Sequence, residues 1–461
     1  MITWSDYQLW AKDNLVSAPK TPTCPHPNQI STDSRAIEKG QWFLPLSGQT
    51  FNGNTFVDAA MARGAAGFFY ESKHKNLISA SSLQYGVEVN DSYLLLCQIA
   101  AGWRARFGHL QIVGITGSSG KTTAKELTRL VCEDAGPTLF TPASYNNEIG
   151  VPLTLLKINA SHKYAIIEMG ARHKGDLTHL GKIVQPTVAC LLNVGDAHLG
   201  EFGSLENLIA AKLEIFIHVF EGATLVVNGD DDRLRVSPSR DNKVIKFGYG
   251  TNVDVKVADN AATLIKISYK GKTYQVHTEY HHEFLAKNIA AVFAICIAMG
   301  INPERVVASV AKFNGLKGRY KIHRLNDKIV IDDAYNANPQ SMAAGLKSVS
   351  QQFESEKKVL ILGDMLELGR DSERSHHKIG EVAGQIRHCH LITVGNDSKS
   401  IGAGARQSGL SPSRHFHFDN IEQFLKDFGN IKELGNVFYV KASHSVGLEK
   451  IVEHLLSAFS N

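Results

Sequence analysis

The segment at residues 114–123, Gly-Ile-Thr-Gly-Ser-Ser-Gly-Lys-Thr-Thr, constrains the fold of this 461-residue chain more than any other feature. It overlaps the end of an apolar run at residues 111–116 that predicts a buried strand, and a helical pattern follows from about 122 to 132. A strand, a glycine-rich turn and a helix in this order are typical of a loop that binds phosphate through its backbone N–H groups. The sequence therefore predicts a nucleotide-binding α/β domain.

Side chains of this loop predict the rest of a nucleotide site. Lys121 is placed to reach the outer phosphates and Thr122 to ligate Mg²⁺, at the positive end of the helix that follows. The first glycine is Gly114 and the next position is Ile115, a spacing that disfavours ordinary GTPases and kinases. The alternative is a glycine-rich turn with an exposed lysine. The predicted nucleotide-binding residues are Gly117, Ser118, Ser119, Gly120, Lys121, Thr122 and Thr123.

A nucleotide site that uses Mg²⁺ also needs an acidic ligand nearby. Glu168 ends an apolar run at residues 164–168, which predicts another strand. Because the carboxyl ends of neighbouring parallel strands meet at one edge of a sheet, Glu168 is well placed to share a metal ion with the loop. A solvated carboxylate at a strand end is the alternative.

Apolar strands alternate with helical patterns along most of the chain, which favours parallel sheets covered by helices on both faces. Stretches between residues 253 and 277 instead alternate with period two around a Lys-Gly-Lys turn, which predicts an antiparallel extension. The predicted fold class is α/β in three domains: a small α/β N-terminal domain, a central phosphate-loop domain with a doubly wound parallel sheet, and a Rossmann-like C-terminal domain. The predicted boundaries are 1–86, 87–314 and 315–461.

Composition disfavours several classes of partner. The 49 Lys and Arg against 45 Asp and Glu leave a net charge of +4, too weak a bias for a nucleic-acid or membrane-surface partner. No secretory signal is visible, and the apolar run at 289–299 is shorter than the ~20 residues that span a bilayer. The six cysteines form no CxxC pair, which fits reduced thiols. We therefore expect a cytoplasmic protein, and a monomer because no coiled-coil pattern is present.

Several segments, in order along the whole chain, resemble those of the Mur ligases of peptidoglycan synthesis. The loop at 114–122 has the spacing of that family, and residues 144–152 are similar to the segment that follows it. Residues 331–339, Ile-Asp-Asp-Ala-Tyr-Asn-Ala-Asn-Pro, and 362–369, Leu-Gly-Asp-Met-Leu-Glu-Leu-Gly, resemble signatures of the branch that adds D-alanyl-D-alanine. The Thr-Asp-Ser-Arg segment at 32–35 is similar to part of its N-terminal domain.

The resemblance implies an ATP-dependent ligase that forms an amide bond. Its implied substrates are ATP, UDP-N-acetylmuramoyl-tripeptide and D-alanyl-D-alanine, with Mg²⁺ as a cofactor. ATP would activate the tripeptide carboxylate as an acyl phosphate, and the amine of the dipeptide would then displace phosphate. The sites for the UDP-sugar, ATP and the dipeptide would belong to different domains, which domain closure would bring together.

The resemblance also implies a catalytic and metal-binding set. Thr122 and Glu168 would hold one Mg²⁺, and His198 would ligate a second. Lys212 matches a lysine that is carbamylated in the family, although its own pattern predicts only a helix-surface position. The implied catalytic residues are Lys121, His198, Lys212 and Arg319.

The remaining implied roles concern ATP and the substrates. Arg319 would reach the ATP phosphates, Asn288 would contact adenine, and Asp333, or its neighbour Asp332, would bind the ribose. The implied substrate-binding residues are Thr32, Asp33, Ser34, Arg35, Asn146, Asn147, Tyr335, Asn336 and Asn338. Two structural alternatives stay open: Arg35 pairs with Asp33, and Asp364 and Glu367 either support a loop or contact the dipeptide.

Two segments differ from the family pattern. Phe284 stands where a histidine is expected before Asn288. The family's Lys-Gly-Ser-Arg segment becomes Lys-Ala-Ser-His at 441–444, so that His444 places an imidazole, mostly neutral at pH 7, where a guanidinium is expected.

Two other functions stay open from the sequence. Another amino-acid-adding Mur ligase or a folylpolyglutamate-type ligase would share the fold, but residues 335–339 and 365–369 argue against it. A nucleotide-binding switch without ligation chemistry would need neither a UDP-substrate domain nor residues for a second metal. A requirement of ATP turnover for an amino acceptor distinguishes the ligase from the switch.

Overall fold

The computed structural model describes residues 2–16, 23–195, 202–234, 236, 241–261, 264–278 and 283–460. The strands form three sheets that follow one another along the chain. Apolar side chains fill the space between each sheet and its helices, as the alternation of strands and helices predicts. The predicted α/β fold class is confirmed.

The N-terminal sheet is small, and each of its strand pairs is parallel. Its strands are β1 Ile30–Ser31, β2 Trp42–Phe43, β3 Gly67–Glu71 and β4 Gly86–Val89, with helices Trp4–Ala11, Val57–Ala62 and Ala80–Leu83. The strands lie in the order β1-β2-β3-β4. Aromatic side chains of β2 and β3 are fully buried and form much of its core.

The central sheet carries the phosphate loop. Its strands are β5 Gln111–Thr116, β6 Thr138–Phe140, β7 Tyr164–Glu168, β8 Val188–Leu191, β9 Thr224–Asn228, β10 Lys243–Gly248, β11 Val255–Ala261, β12 Leu264–Tyr269 and β13 Lys272–His277. Their order is β13-β12-β11-β10-β9-β8-β5-β7-β6, and among the described strands of this sheet only the pairs β11–β12 and β12–β13 are antiparallel. The antiparallel extension and its turn at Lys270 and Gly271 are therefore confirmed. The helices of this region are Ser92–Ala105, Lys121–Ala135, Gly150–Leu155, Asp176–Val184, Leu205–Leu213, Glu283–Ala298 and Pro303–Val310.

The C-terminal sheet has helices and an apolar core on both faces. Its strands are β14 Lys321–Leu325, β15 Lys328–Asp332, β16 Lys358–Gly363, β17 Cys389–Val394, β18 His415–Phe418 and β19 Val437–Lys441. They lie in the order β14-β15-β19-β16-β17-β18, and β14 alone runs antiparallel to its neighbour within the described chain. The helices are Pro339–Gln352, Ser372–Gly384, Lys399–Gln407, Ile421–Lys426, Phe428–Ile431 and Glu449–Ser460.

The strands that sequence patterns missed include β6, β14 and β18. Each lies at an edge of its sheet. All of their residues are half-buried, except for one exposed residue in β14. An edge strand is not covered on all sides, so it needs no continuous apolar run to be stable. The fully buried strands β7, β8, β9, β16 and β19 are among those that the sequence predicted, whereas the interior strand β10, which has exposed residues, was missed as well.

The junction between the first two sheets is continuous. β4 extends to Val89, three residues beyond the predicted boundary at 86, and the helix Ser92–Ala105 packs on both Trp4–Ala11 and Asp176–Val184. The division into 1–86, 87–314 and 315–461 stays a prediction. Within the described ranges, no helix combines the length and the apolar character that crossing a bilayer requires. All six cysteines are free thiols.

Candidate functional site

A cavity of 1140 Å³ lies at the carboxyl ends of strands from the central and C-terminal sheets. Its walls come from the segments after β5, β6, β7, β15, β16 and β19, and from the helix Ser92–Ala105. Ligand sites of doubly wound folds occupy this edge, because the loops there converge. The predicted residues that line the cavity are Ser118, Ser119, Gly120, Lys121, Thr122, Thr123, Asn146, Asn147, Glu168, Asn288, Arg319, Asp333, Tyr335, Asn336 and Asn338.

The phosphate loop has the backbone that its glycines predict. Gly120 precedes the helix Lys121–Ala135 with φ of 83°, and a Cβ there would lie 2.7 Å from Oδ1 of Asn288. Lys121 Nζ donates to the Gly117 carbonyl at 2.7 Å. Removal from water lowers the pKa of Lys121, an effect that the Glu168 carboxylate opposes. The loop therefore presents the Lys121 amine to the cavity directly after a left-handed backbone position that favours glycine.

Asn193, just after β8, fastens this loop. The backbone N–H of Ser118 donates to the Asn193 carbonyl at 3.1 Å, and that of Ser119 donates to Asn193 Oδ1 at 3.0 Å. Asn193 Nδ2 donates in return to the Ser119 carbonyl at 3.0 Å. The backbone and the side chain of one residue thus set the position of the loop relative to the neighbouring strand.

Glu168 has the surroundings of a metal ligand. It is 1% exposed at the end of β7, and Asn146 Nδ2 donates to its Oε1 at 2.7 Å. Its Oε2 is buried and accepts no hydrogen bond within the described part of the chain. A buried carboxylate oxygen without a donor is unfavourable, and a cation would satisfy it. Together with the Thr122 hydroxyl in the same cavity, the oxygen donors fit Mg²⁺.

Lys212 is buried, so the surface position that its sequence pattern predicts is wrong. It is 1% exposed, and its Nζ donates to the Ala171 carbonyl at 3.2 Å behind the cavity wall. Burial lowers the pKa of Lys212 to about 7; nearby Lys121 lowers it further, whereas Asp176 and Glu214 raise it. A substantial fraction of this amine is therefore uncharged at neutral pH.

Three hydrogen-bonded pairs join the C-terminal region to the central region across the cavity. They are Arg319 Nη2 with Thr122 Oγ1 at 3.0 Å, Asn338 Nδ2 with Ser119 Oγ at 3.2 Å, and Tyr335 OH with Ser144 Oγ at 2.6 Å. The Arg319 guanidinium also lies over the Tyr335 ring, 4.1 Å from its centroid. Arg319 is thus placed beside the phosphate loop.

The structure separates the two adjacent aspartates. Asp332 is buried outside the cavity, where it accepts a hydrogen bond from the Gly318 N–H at 2.7 Å, and burial raises its pKa. Asp333 lines the cavity, and its Oδ2 accepts hydrogen bonds from Tyr439 OH at 2.9 Å and Lys441 Nζ at 2.8 Å. Asp333 is therefore the carboxylate available to a ligand, and Asp332 holds a turn.

Residues that differ from the family pattern also lie in the cavity wall. His444 stacks on Tyr335, with ring centroids 5.3 Å apart and planes at 23°. Lys441, 3% exposed, donates to the Asn336 carbonyl at 3.0 Å in addition to Asp333. Phe284 lines the wall as well. The C-terminal wall therefore keeps a cation at Lys441, while the position of the expected guanidinium holds a stacked ring.

Several predicted residues also have structural roles. Asn147 Oδ1 accepts the Gly150 N–H at 2.8 Å where a helix begins, and Asn338 caps the helix Pro339–Gln352. Asp364, whose role was open, accepts the Ser398 N–H at 2.7 Å and supports a loop. Glu367, in the segment just after β16, lines the cavity, with Oε1 3.9 Å from Nη2 of Arg172.

The Thr-Asp-Ser-Arg segment at 32–35 does not line the cavity. Arg35 is 86% exposed at its side chain and makes two hydrogen bonds of 2.9 Å to the Asp33 carboxylate. These bonds hold the pKa of Asp33 down at about 2. The ion pair between Arg35 and Asp33, which the sequence left open as an alternative, is thus present. Thr32 and Ser34 lie in the same surface turn. His198, the implied ligand of a second Mg²⁺, lies outside the described residues.

Sequence reasoning missed two cavity residues that touch each other. Tyr93 OH lies 2.7 Å from Nε2 of His179, although the two are 86 residues apart. Each stands within an amphipathic helix and belongs to no motif, so nothing in the sequence links them. Only the packing of their helices brings them together.

Comparison with known proteins agrees with this architecture. Residues 26–104 match the catalytic domain of the Mur ligase family, 115–296 the Mur ligase middle domain, and 318–444 the Mur ligase glutamate ligase domain. The chain is 32% identical to the UDP-N-acetylmuramoyl-tripeptide–D-alanyl-D-alanine ligase of Buchnera aphidicola, over 94% of this chain and 93% of that protein. It is 31% identical to the ligase of the same name from Escherichia coli, over 92% and 93%.

Solved structures give the same result. MurF from Acinetobacter baumannii superposes with a TM-score of 0.87 at 29% identity, covering 99% of this chain and 98% of that one. MurF ligase from Thermotoga maritima, in complex with ADP, superposes with a TM-score of 0.82 at 27% identity, covering 95% and 99%. The order of the three domains, the phosphate loop and the near-complete alignment lead to one conclusion. The chain belongs to the Mur ligase family.

Proposed function

We propose that this protein is an ATP-dependent ligase that joins D-alanyl-D-alanine to UDP-N-acetylmuramoyl-tripeptide in peptidoglycan precursor synthesis. The observation that carries the proposal is the cavity in which the phosphate loop faces Arg319, Asp333 and Lys441 of the C-terminal region. A nucleotide and an amine acceptor can meet there. Ligases of this name align with nearly the whole chain, and a similar structure is described in complex with ADP.

The reaction has two steps. An oxygen of the terminal carboxylate of the tripeptide attacks the γ-phosphorus of ATP, and the bond from that phosphorus to the bridging oxygen breaks to release ADP. The dipeptide amine then attacks the acyl carbon, loses a proton to solvent, and displaces inorganic phosphate as the amide forms. Both steps bring anionic groups together, so they need cations fixed in advance at the cavity wall.

Lys121 and Arg319 supply these cations. Lys121 approaches from the loop after β5, and Arg319 approaches from the C-terminal region, where it already contacts Thr122. The planar guanidinium suits two phosphate oxygens at once. We assign the ribose to Asp333 and the adenine to Asn288, and we assign the peptide substrates to Asn146, Asn147, Tyr335, Asn336 and Asn338.

The residues present also fit Mg²⁺. Glu168 offers an unsatisfied buried oxygen and Thr122 offers a hydroxyl. His198 and Lys212 would complete the set that the family implies. When bound, Mg²⁺ would neutralise charge on the phosphate oxygens.

We further propose that Lys212 is carbamylated. Its uncharged amine would form a nitrogen–carbon bond to CO₂ and release a proton, which changes a cation into an anion; the pKa of about 7 supports this chemistry. Protein incubated with ¹³C-bicarbonate should show a carbamate signal that is absent from Lys212→Arg. The same spectrum in both proteins would contradict the modification.

The other assignments follow from the substrates. The UDP part would bind the N-terminal region, with Thr32, Asp33, Ser34 and Arg35 as proposed contacts, and the three proposed domains would each bring one substrate. We also propose that the protein is a monomer. The cytoplasm is its proposed location, because ATP and the small-molecule substrates are present there.

The decisive assay measures phosphate release with ATP, Mg²⁺ and UDP-N-acetylmuramoyl-tripeptide, with and without D-alanyl-D-alanine. Dipeptide-dependent release with a matching mass gain in the UDP product is expected. ATP hydrolysis that is indifferent to both substrates would favour a nucleotide switch. Turnover with another acceptor but not this dipeptide would retain the chemistry and reassign the substrate.

A further inference from the structure

One part of the cavity wall holds a hydrogen-bonded pair that the reaction described above does not use. Tyr93, on the helix Ser92–Ala105, and His179, on the helix Asp176–Val184, both line the cavity. The Tyr93 hydroxyl lies 2.7 Å from Nε2 of His179, and Cys97 Sγ lies 3.6 Å from the same nitrogen. Two protic groups therefore face one nitrogen of the ring.

Both of these groups keep their protons at neutral pH. Burial raises the pKa of Tyr93 above its ordinary range, and burial raises the pKa of Cys97 to about 11. A protonated phenol and a protonated thiol can both donate to Nε2, and when Nε2 accepts, a neutral imidazole carries its proton on Nδ1. Within the described chain, the hydrogen bonds of the His179 ring involve Nε2, so in this tautomer Nδ1–H is available to a ligand.

The location of the pair selects one substrate. The proposed ATP residues come from the loop after β5, from Asn288, and from Arg319 and Asp333 of the C-terminal region, and three of the five proposed peptide-binding residues also come from the C-terminal region. Tyr93 belongs instead to the helix that packs on Trp4–Ala11 of the N-terminal region, where the UDP part would bind. The acyl substrate must extend between that region and the phosphate loop, so it is the substrate that passes this pair.

The charge around the pair selects the kind of acceptor. Glu148 and Asp176 lie close enough to Tyr93 to raise its pKa further, and Glu148 lines the cavity with His179. A negative field disfavours another carboxylate at this place. A peptide carbonyl group has no net charge, so the negative field does not exclude it, and its oxygen can accept a hydrogen bond at this place.

We propose that His179 donates from Nδ1–H to a peptide carbonyl oxygen of the UDP-linked acyl substrate, and that Tyr93 is a positioning residue which holds the ring in this tautomer. The inference rests on the proposed function, and it adds a substrate-binding group to that function.

A matched pair of substitutions tests the donor. His179→Phe keeps a ring without a donor, whereas His179→Asn keeps an N–H group near the position of Nδ1. Loss of one neutral hydrogen bond should raise the KM for UDP-N-acetylmuramoyl-tripeptide by about 3- to 10-fold in H179F, and by less in H179N. The KM values for ATP and D-alanyl-D-alanine should change by less than about twofold. His109→Phe, an exposed residue outside the cavity, serves as the control.

The role of Tyr93 has a separate readout. In protein labelled with ¹⁵N-histidine, the His179 signals, identified by their absence from H179N, should report a proton on Nδ1. In Tyr93→Phe they should report a mixture of tautomers. A proton found on Nε2 of the wild-type protein would overturn the proposal.

The outcomes separate this inference from the function on which it rests. Wild-type turnover together with unchanged affinity of H179F for the UDP-linked tripeptide, measured by calorimetry, overturns the inference and leaves the function intact. Equal increases in all three KM values with a lower Tm would show a purely structural role and overturn it as well. If the wild-type protein releases no phosphate in response to the dipeptide, both proposals are wrong.

Discussion

Burial determines the chemistry of single residues in the cavity wall and directly behind it. Glu168, Lys212 and Lys441 are each at most 3% exposed, and each has few polar partners. Charges removed from water interact more strongly with a ligand than exposed charges do. Substitutions at such positions should therefore affect catalysis more than those at surface charges of the same type.

Glu168→Gln tests the proposed metal ligand. Glutamine still accepts the hydrogen bond from Asn146 but removes the anionic oxygen that lacks a partner. We expect kcat to fall about 100-fold or more, since a bound metal ion contributes several kcal/mol to charge stabilisation. Tm should not fall, because a buried charge is removed. Exposed Glu221→Gln is the matched control, and an E168Q protein as active as that control would contradict the assignment.

His415 provides a pH-dependent contribution to stability far from the cavity. Burial, assisted by the charges of Arg406 and His417, lowers its pKa from 6.5 to about 4. The unfolded chain therefore binds this proton at a higher pH than the folded chain does. The contribution of His415 should lower the free energy of unfolding as pH falls from about 6.5 to about 4, and it should stay constant below that range.

The measurement compares urea unfolding at pH 7 and pH 5. The wild-type protein should lose up to about 1.4 kcal/mol per pH unit through this group once the pH is below 6.5, and His415→Gln should show a smaller pH dependence. His109→Gln, an exposed histidine, controls for general effects of the substitution. Equal pH dependence of H415Q and the wild-type protein would show that His415 does not carry this effect.

At the scale of elements, one buried histidine holds a loop of the cavity in place. Nε2 of His376, which is fully buried, accepts the Met365 N–H at 2.9 Å, and Ser443 Oγ accepts the Leu366 N–H at 2.9 Å. The next residue, Glu367, adopts a left-handed backbone with φ of 64° and lines the cavity. The loop thus depends on side-chain acceptors from other elements because its backbone belongs to no ladder.

His376→Phe should destabilise this loop. A buried N–H without an acceptor costs about 1–3 kcal/mol, so unfolding should need less denaturant. Displacement of the loop should also raise the KM for D-alanyl-D-alanine. His377→Phe on the same helix, where the side chain is half-buried and pairs with Glu381, is the control. The same stability in both variants would contradict the role of His376.

At the scale of the whole molecule, the cavity is complete only while the C-terminal region contacts the central region. Arg319, Tyr335 and Asn338 cross between them. Such contacts are those that domain closure makes and opening breaks. They should therefore affect the catalytic cycle more than the stability of either region.

A double-mutant cycle tests one of these contacts. Ser144→Ala and Tyr335→Phe each remove the 2.6 Å hydrogen bond, while Phe keeps the ring beneath Arg319. We expect each to lower kcat/KM for ATP, with a coupling energy of about 0.5–1.5 kcal/mol, so that the double variant loses little more than either single one. Strictly additive losses would show that the two residues act independently.

The sequence by itself determined the fold class, the phosphate loop and the family. The fold class and the loop depend on neighbouring residues: apolar runs of strand length, glycines where the backbone is left-handed, and a carboxylate that ends a strand. The family depends on the resemblance of several short segments, such as 331–339 and 362–369, to those of Mur ligases. The same reasoning missed β6, β14 and β18, because edge strands need not be apolar.

Only the tertiary structure decided which side chains share the cavity. Lys212, predicted at a helix surface, is buried; Asp333 faces the cavity while Asp332 does not; and the segment at 32–35 stays apart from the other predicted residues. Tyr93 and His179 are 86 residues apart in the sequence, yet their side chains lie 2.7 Å apart. Local patterns specify elements, but the distance between side chains on different elements follows from how helices and sheets pack, which no short stretch of sequence records.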